Sequence, residues 1–435
     1  MKTARGTRSC WPLLLALCAA GVHAAEEFSF DASAFEKKRF EIGGYAQLKY
    51  EDFALNRSGA LYRLGYYGLP QREDLGRTTG TLELSGKARQ GIATFDFRTR
   101  SDLQRDQTTH DATNVFHEAV LSLRPDPGLT LEAGKKALKW GKGYAWSPLG
   151  FVERAKDPND PELAREGYVI AGADLIHNRD GPLRTVAFTP LLVPVADDMN
   201  SDFGASGHLN PTAKLYLLYR DTDIDIAWQG KGSRPARFGV DFSRNLTSNM
   251  EIHGEWARVQ QLSRPVANSA GQVTTVLGNA TSYLLGLRYL TAGETTYILE
   301  YYRNGSGYSD AESRQFYQLV DNAFAQLQQT GSGQLLQKSL ALSRGSYGRP
   351  NAGSDYLYFR AVRKDALGIL YFQPALTAMM NVNDRSYQVT PELLYTGITN
   401  LELRLRAIML RGGSLTEFGE KQNSRRIDFY ARYYF

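Results

Sequence analysis

The chain has 435 residues, 42% hydrophobic, 22% charged and 11% aromatic, with 51 Lys and Arg against 46 Asp and Glu for a net charge of +5. Mean hydropathy is polar, −0.39, and after residue 24 no apolar run approaches the ~20 residues of a membrane-spanning helix, which excludes a helical membrane protein. Abundant Tyr and Phe (25 and 20) exclude a disordered chain, and a charge spread without a long basic block argues against a nucleic-acid partner.

The first segment reads as a secretion signal. Lys2, Arg5 and Arg8 form a basic start, 11–21 a short apolar stretch, and Val22-His23-Ala24 a small-residue cleavage site. Segment 1–24 is expected to be removed, leaving 25–39 as a short periplasmic lead-in and 40–435 as the folded body. Cys10 and Cys18, the only cysteines, leave with it, so no disulfide, cysteine-bound zinc or haem attachment is expected. A secreted chain without cysteine suits a bacterial envelope protein.

From residue 40 the chain alternates apolar and polar side chains in segments of about ten residues. In the first, Tyr45, Gln47, Lys49 and Glu51 oppose Ile42, Ala46, Leu48 and Tyr50. Candidate strands cover 42–53, 79–89, 92–100, 115–124, 129–139, 168–177, 183–192, 213–220 and 223–229. They continue over 237–243, 250–258, 283–289, 296–303, 356–363, 369–383, 387–395, 401–410 and 426–435. Short Gly-, Asp-, Asn- and Pro-rich turns alternate with longer junctions at 55–78, 101–114, 141–167, 193–212, 260–280 and 304–355. The expected fold is all-β: a transmembrane antiparallel β-barrel of eighteen strands, or sixteen if one is split wrongly, with short periplasmic turns and long external loops.

The last strand places Ile427, Phe429, Ala431, Tyr433 and Phe435 on one side and Asp428, Tyr430, Arg432 and Tyr434 on the other. It resembles the C-terminal assembly signal of bacterial outer-membrane barrels. That resemblance implies the barrel assembly machinery as a partner through Phe435, with outer-membrane lipid and lipopolysaccharide around the wall.

A barrel this wide leaves an aqueous channel unless loops fill it. Loop 141–167 is the first candidate. Tyr144, Trp146 and Phe151 are expected either beside the permeation path or as pins to the wall, with Lys136, Lys139, Lys142, Glu153 and Arg154 setting a local field. The second is 304–355, where Phe316, Leu319, Val320, Ala323, Phe324 and Leu327 recur at helical spacing and Gly331 and Gly333 end the run. Inward parity adds Arg98, Arg100, Arg404 and Arg406 to the pore candidates, beside Lys49, Lys214, Arg288 and Arg360. It also adds Glu83, Asp225, Asp241, Glu251, Glu255, Glu300 and Glu402, so the lumen is mixed in sign.

No enzyme motif of the metalloprotease, serine-hydrolase or nucleotide-binding kinds is present. Glu251, His253 and Glu255 share one lumen face, but no nucleophile or oxyanion donor accompanies them, so no catalytic residue is assigned. The acidic stretch 157–162 lacks the spacing of a calcium loop, and no metal or cofactor is expected.

The segment Leu131-Glu132-Ala133-Gly134-Lys135-Lys136-Ala137-Leu138-Lys139-Trp140-Gly141 resembles the strand-to-loop pattern of the alginate-export family, within the outer-membrane porins. The resemblance implies an eighteen-stranded barrel that passes an anionic polysaccharide through an arginine-lined, loop-gated lumen. The expected function is an outer-membrane channel for diffusion or export of hydrophilic solutes. The alternative is a barrel shell or export component working with a periplasmic or cytochrome partner; an outer-membrane enzyme is disfavoured.

Overall fold

The alternating segments pair in chain order. The computed structural model describes residues 38–107 and 109–435, and its strands form a single 18-stranded sheet. The strands are β1 (Phe40–Leu55), β2 (Asp74–Gln90), β3 (Ala93–Asp106), β4 (His110–Asp126), β5 (Leu129–Lys136) and β6 (Tyr168–Asn178). They continue as β7 (Leu183–Val195), β8 (His208–Tyr219), β9 (Thr222–Gln229), β10 (Arg237–Thr247), β11 (Met250–Ala267) and β12 (Val273–Leu290). The last six are β13 (Thr295–Arg303), β14 (Asp355–Arg363), β15 (Phe372–Asn381), β16 (Tyr387–Ile398), β17 (Leu401–Arg411) and β18 (Asn423–Tyr434). The expected signal segment 1–24, and most of 25–39, lie outside the described residues.

Neighbouring strands are antiparallel. β1 pairs with β2 and also with β18, from Tyr45↔Tyr434 to Ala54↔Arg425, so the sheet closes into a barrel. Closure leaves no row of unpaired backbone groups, which a strand in hydrocarbon cannot tolerate.

Period two sorts the side chains as the sequence implies. Leu48 and Phe429 on the outer face are 62% and 49% exposed, whereas their inward neighbours Glu51 and Asp428 are 5% and 1% exposed. Outward Leu82, Leu121, Phe238, Leu285, Leu299, Leu376 and Leu405 carry the apolar belt around the wall. Soluble proteins rarely expose contiguous apolar patches beyond a few hundred Å²; an encircling belt is what a lipid-facing wall presents. Among the described residues no helix is long and apolar enough to cross a membrane.

Several boundaries differ from the alternation. Junctions 101–114 and 260–280 are mostly strand, because β3, β4, β11 and β12 run past the apolar belt. Their outer halves carry residues such as Ser263, Arg264, Thr274 and Thr275, so polarity stops alternating although pairing continues across a bulge between Val259 and Leu262. β5 ends at Lys136 rather than at 139. Ile369, Leu370 and Tyr371 leave the expected strand for the turn before β15, because Tyr371 takes a left-handed φ of 63° that breaks the extended chain.

The long junctions build a cap over one end. Helix α1 (Ala60–Gly65) lies in the first, and α2 (Asp310–Thr330) and α3 (Gln334–Leu342) in the junction between β13 and β14. Ser309 and Glu312 form a reciprocal capping box at the start of α2, and Gly331 ends it at φ 71°. Phe316, Leu319, Val320 and Ala323 bury against Leu61 and Leu64 of α1 and Leu336 of α3. Tyr347 stacks between Tyr308 (3.9 Å) and Phe316 (4.3 Å). The Arg264 guanidinium holds Glu312 through two hydrogen bonds, which ties the β11–β12 hairpin to α2.

Candidate functional site: the loop across the lumen

The segment between β5 and β6, residues 137–167, folds inward. Its path is set by carboxylates that accept pairs of backbone N–H groups. Glu255 on β11 takes Gly143 N at 2.6 Å and Leu149 N at 2.8 Å. Glu300 on β13 takes Ala145 N at 2.9 Å and also Tyr144 N. Within the loop, Glu153 takes Gly141 N at 3.1 Å and Trp140 N, and its second oxygen accepts from Arg165 at 2.9 Å. A loop has no ladder to satisfy its own N–H groups, and a buried orphan donor is costly; these carboxylates supply the acceptors.

His253 braces one of them. Its Nε2 donates to Glu300 Oε1 at 2.9 Å, its ring is 1% exposed, and it packs against Tyr144 at 5.5 Å between ring centres. The far end of the loop reaches another part of the wall. Asn159 Oδ1 accepts from Gln388 (2.6 Å) and Thr390 (3.0 Å) on β16, and the Asn159 carbonyl accepts from Arg406 on β17. Asp160 pairs with Arg404 at 3.2 Å. The loop thus leaves the wall at β5, touches β11 and β13, and reaches β16 and β17, lying across the lumen.

Phe151 takes the pinned position, whereas Trp146 is both pinned to the wall and part of the lining of the cavity between the loop and the cap. Phe151 is 1% exposed and packs with Leu149, Val152 and Trp140 against Ile170, Leu191 and Val193 of the wall. It presents no ring to a passing solute. Trp146 stacks on Tyr302 at 5.0 Å and lies against Tyr356 and Tyr358, which fixes the loop to β13 and β14. Tyr144 is half-buried, and burial pushes its phenol pKa up.

The charged candidates are mostly paired. Lys142 meets the fully buried Asp225 at 2.8 Å, and Lys214 approaches the same carboxylate at 3.3 Å. Burial pulls the Lys142 ammonium down, but Asp225, with Asp241 and Asp223 behind it, outweighs burial and holds the group above the usual lysine value. Arg154 pairs with Asp202 and Glu166, Lys136 with Glu132, and Lys139 is exposed. On the wall, Arg98 sits 3.3 Å from Glu118, Arg100 2.8 Å from Asp102, and Arg406 3.0 Å from Asp428. These are cross-strand and near-neighbour ion pairs, the ordinary content of a solvated wall.

A cavity of about 1260 Å³ opens between the inward loop and the cap. Arg154, Lys156, Arg344, Arg349, Lys421 and Arg426 line it, against the carboxylates Glu153 and Asp157. Burial lowers the Lys156 ammonium below the usual lysine value, with Glu153 and Glu255 acting against it. Arg344 is exposed. Sequence alone marks Glu153 and Arg154 as pore candidates and Asp157 as part of the acidic stretch 157–162. Arg344, Arg349, Lys421 and Arg426 come from segments far from that loop in the chain, so no local pattern announces the cavity.

No protein-family model matches the chain, and no curated protein matches it. Solved structures do. Pseudomonas aeruginosa OccK5 (OpdH) matches 90% of this chain and 97% of its own, at 12% identity and a TM-score of 0.51. Pseudomonas aeruginosa OccK2 (OpdF), solved in complex with glucuronate, matches 91% and 96%, at 11% identity and a TM-score of 0.51. The chain has a porin fold. The 137–167 loop lies inside that barrel, with the cavity between it and the cap. A Rhodopseudomonas blastica porin triple mutant is more distant, at 9% identity and a TM-score of 0.45. At these identities the likeness concerns the fold, and the alginate-export resemblance rests on residues 131–141 alone.

Proposed function

We propose that the chain is an outer-membrane channel through which small hydrophilic solutes diffuse, with anions favoured at the vestibule. The observation that carries this reading is the lining of the cavity, read as a vestibule directly above a loop that spans the lumen. Six cationic side chains meet two carboxylates there, and although Arg154, Lys421 and Arg426 are engaged by carboxylates, Lys156, Arg344 and Arg349 add positive charge beyond those pairs. A cleft lined by one sign of charge between low-dielectric walls concentrates counter-ions at its mouth. Below the vestibule the paired wall is close to neutral, so selectivity is set at the entrance and size exclusion at the loop.

The test is planar-bilayer recording of the purified chain. Discrete conductance steps are expected, with a reversal potential in a salt gradient that marks anions as the more permeant ions. Absence of conductance would remove the channel reading. Arg344→Glu with Lys421→Glu is expected to shift the reversal potential toward cation preference at ~0.1 M salt and hardly at all at ~1 M, where the screening length falls to ~3 Å. Glucuronate, bound in one structurally similar protein, is a sensible first solute for blockade, with neutral glucose as its partner control.

A further inference from the structure

We infer that the β14–β15 turn, residues 364–371, is an interfacial anchor that sits among phospholipid headgroups at the rim of the barrel. This rests on the reading of the chain as a membrane barrel. Most other short turns at the same end are built from polar and small residues, such as Asn178-Arg179-Asp180-Gly181-Pro182 and Thr291-Ala292-Gly293-Glu294, and the β2–β3 turn exposes a single apolar side chain, Ile92. The β14–β15 turn exposes Leu367 (86%), Leu370 (67%), Tyr371 (56%) and Ile369 (48%) within five residues.

The exposure is built into the turn. Asp365 accepts the backbone N–H of Tyr371, Ile369 N donates to Ala366 O at 3.1 Å, and Phe372 N donates to Ile369 O at 3.2 Å. Asp365, Leu367 and Tyr371 hold left-handed φ values of 47°, 59° and 63°. A leucine in that region is an outlier, because its Cβ crowds the backbone. The hydrogen bonds keep an unfavourable backbone that turns apolar side chains out.

The surroundings name the occupant. The turn leads directly into Phe372 and the exposed Leu376 of β15, and β13 beyond β14 exposes Tyr297 and Leu299 to the same side. The apolar belt is therefore continuous with the turn. Arg363 and Lys364 are exposed at its start. Apolar and aromatic side chains beside cations match the boundary between acyl chains and phosphates.

The experiment uses the full chain with Cys10→Ser and Cys18→Ser, and one cysteine at a time carrying an environment-sensitive dye. Leu370→Cys and Leu367→Cys report on the turn, Leu376→Cys on the belt, and Ser248→Cys on an exposed polar turn. Heat-modifiable gel migration checks that each variant folds. In liposomes, the dyes at 370 and 367 are expected to show blue-shifted emission, loss of quenching by aqueous iodide, and quenching by a lipid with a nitroxide near its headgroup. If they match 248 while 376 reports lipid, the turn stands in water and the anchor is wrong, though the membrane barrel survives. If they are shielded from iodide yet unquenched by the nitroxide lipid, protein covers the turn, which also overturns the anchor. If 376 itself reports water, the membrane reading fails and the anchor fails with it.

Discussion

The Glu300 carboxylate accepts the backbone N–H of Ala145 at 2.9 Å although the two residues stand 155 positions apart. With Glu255, which holds Gly143 and Leu149, it fixes the loop across the barrel. Hydrogen bonds to a charged group contribute ~1.5–3 kcal/mol each, and a buried orphan N–H adds its own penalty. Glu255→Ala with Glu300→Ala is therefore expected to free the loop while the barrel stays closed. Single-channel recording would show larger, noisier openings with unchanged heat-modifiable migration. Quiet openings of wild-type size would refute the latch.

The second prediction concerns the brace behind it. A Cβ built on Gly286 of β12 would lie 2.0 Å from His253 Nε2, a separation no atom pair tolerates. Gly286→Ala must push the imidazole away from Glu300. Gly286→Ala and His253→Ala are each expected to make the openings noisier, and the double variant should add nothing, because both act through the same contact. Additive effects in the recordings would show that the two positions work separately.

These contacts show which parts of the molecule are legible in the sequence. The strands are, because lipid outside and water inside impose opposite polarity on successive residues. Where that contrast ends, the reading fails: the outer half of the β11–β12 hairpin meets the cap and water and shows no period. Residues 369–371 fail in the opposite way, since an apolar turn next to a strand extends the alternation falsely. Helix α1, with six residues, is too short to display a helical period. Parity places Glu255 and Glu300 in the lumen, but nothing local distinguishes a carboxylate that holds a distant loop from one that faces water. Phe151 illustrates the reverse ambiguity, since a loop aromatic has the same sequence signature beside a path or buried under it.

The cap makes a third prediction. Tyr347 is 2% exposed between Tyr308 and Phe316, and its hydroxyl accepts the Ala267 N–H at 3.1 Å. Truncating a buried aromatic costs about 3–5 kcal/mol. That is enough to melt a small cap but not a closed hydrogen-bonded barrel. Tyr347→Ala is expected to make the α2–α3 segment cleavable by trypsin at Lys338 and Arg344, with the barrel still running as a folded species before heating. A protease-resistant cap would mean that Tyr347 is not its keystone.

Lys142 yields a prediction with a definite sign in pH. Its folded value lies above that of a free lysine, because the carboxylates of Asp225, Asp241 and Asp223 together outweigh the cost of burial. A raised lysine value contributes stability that is complete below the unfolded value of ~10.4 and disappears as pH rises through the folded value. The Lys142–Asp225 contact should therefore hold the loop equally well at pH 6 and pH 9 and weaken only in stronger base. Lys142→Met removes it at every pH and leaves Asp225, which is 0% exposed, with Lys214 at 3.3 Å. Stranding one partner of a buried pair costs ~3–5 kcal/mol, and Lys214 should reduce that figure. Conductance noise that is flat from pH 6 to 9 in the wild type, and raised throughout that range in Lys142→Met, is the expected record. Equal noise in both would assign the loop's position to Glu255 and Glu300 alone.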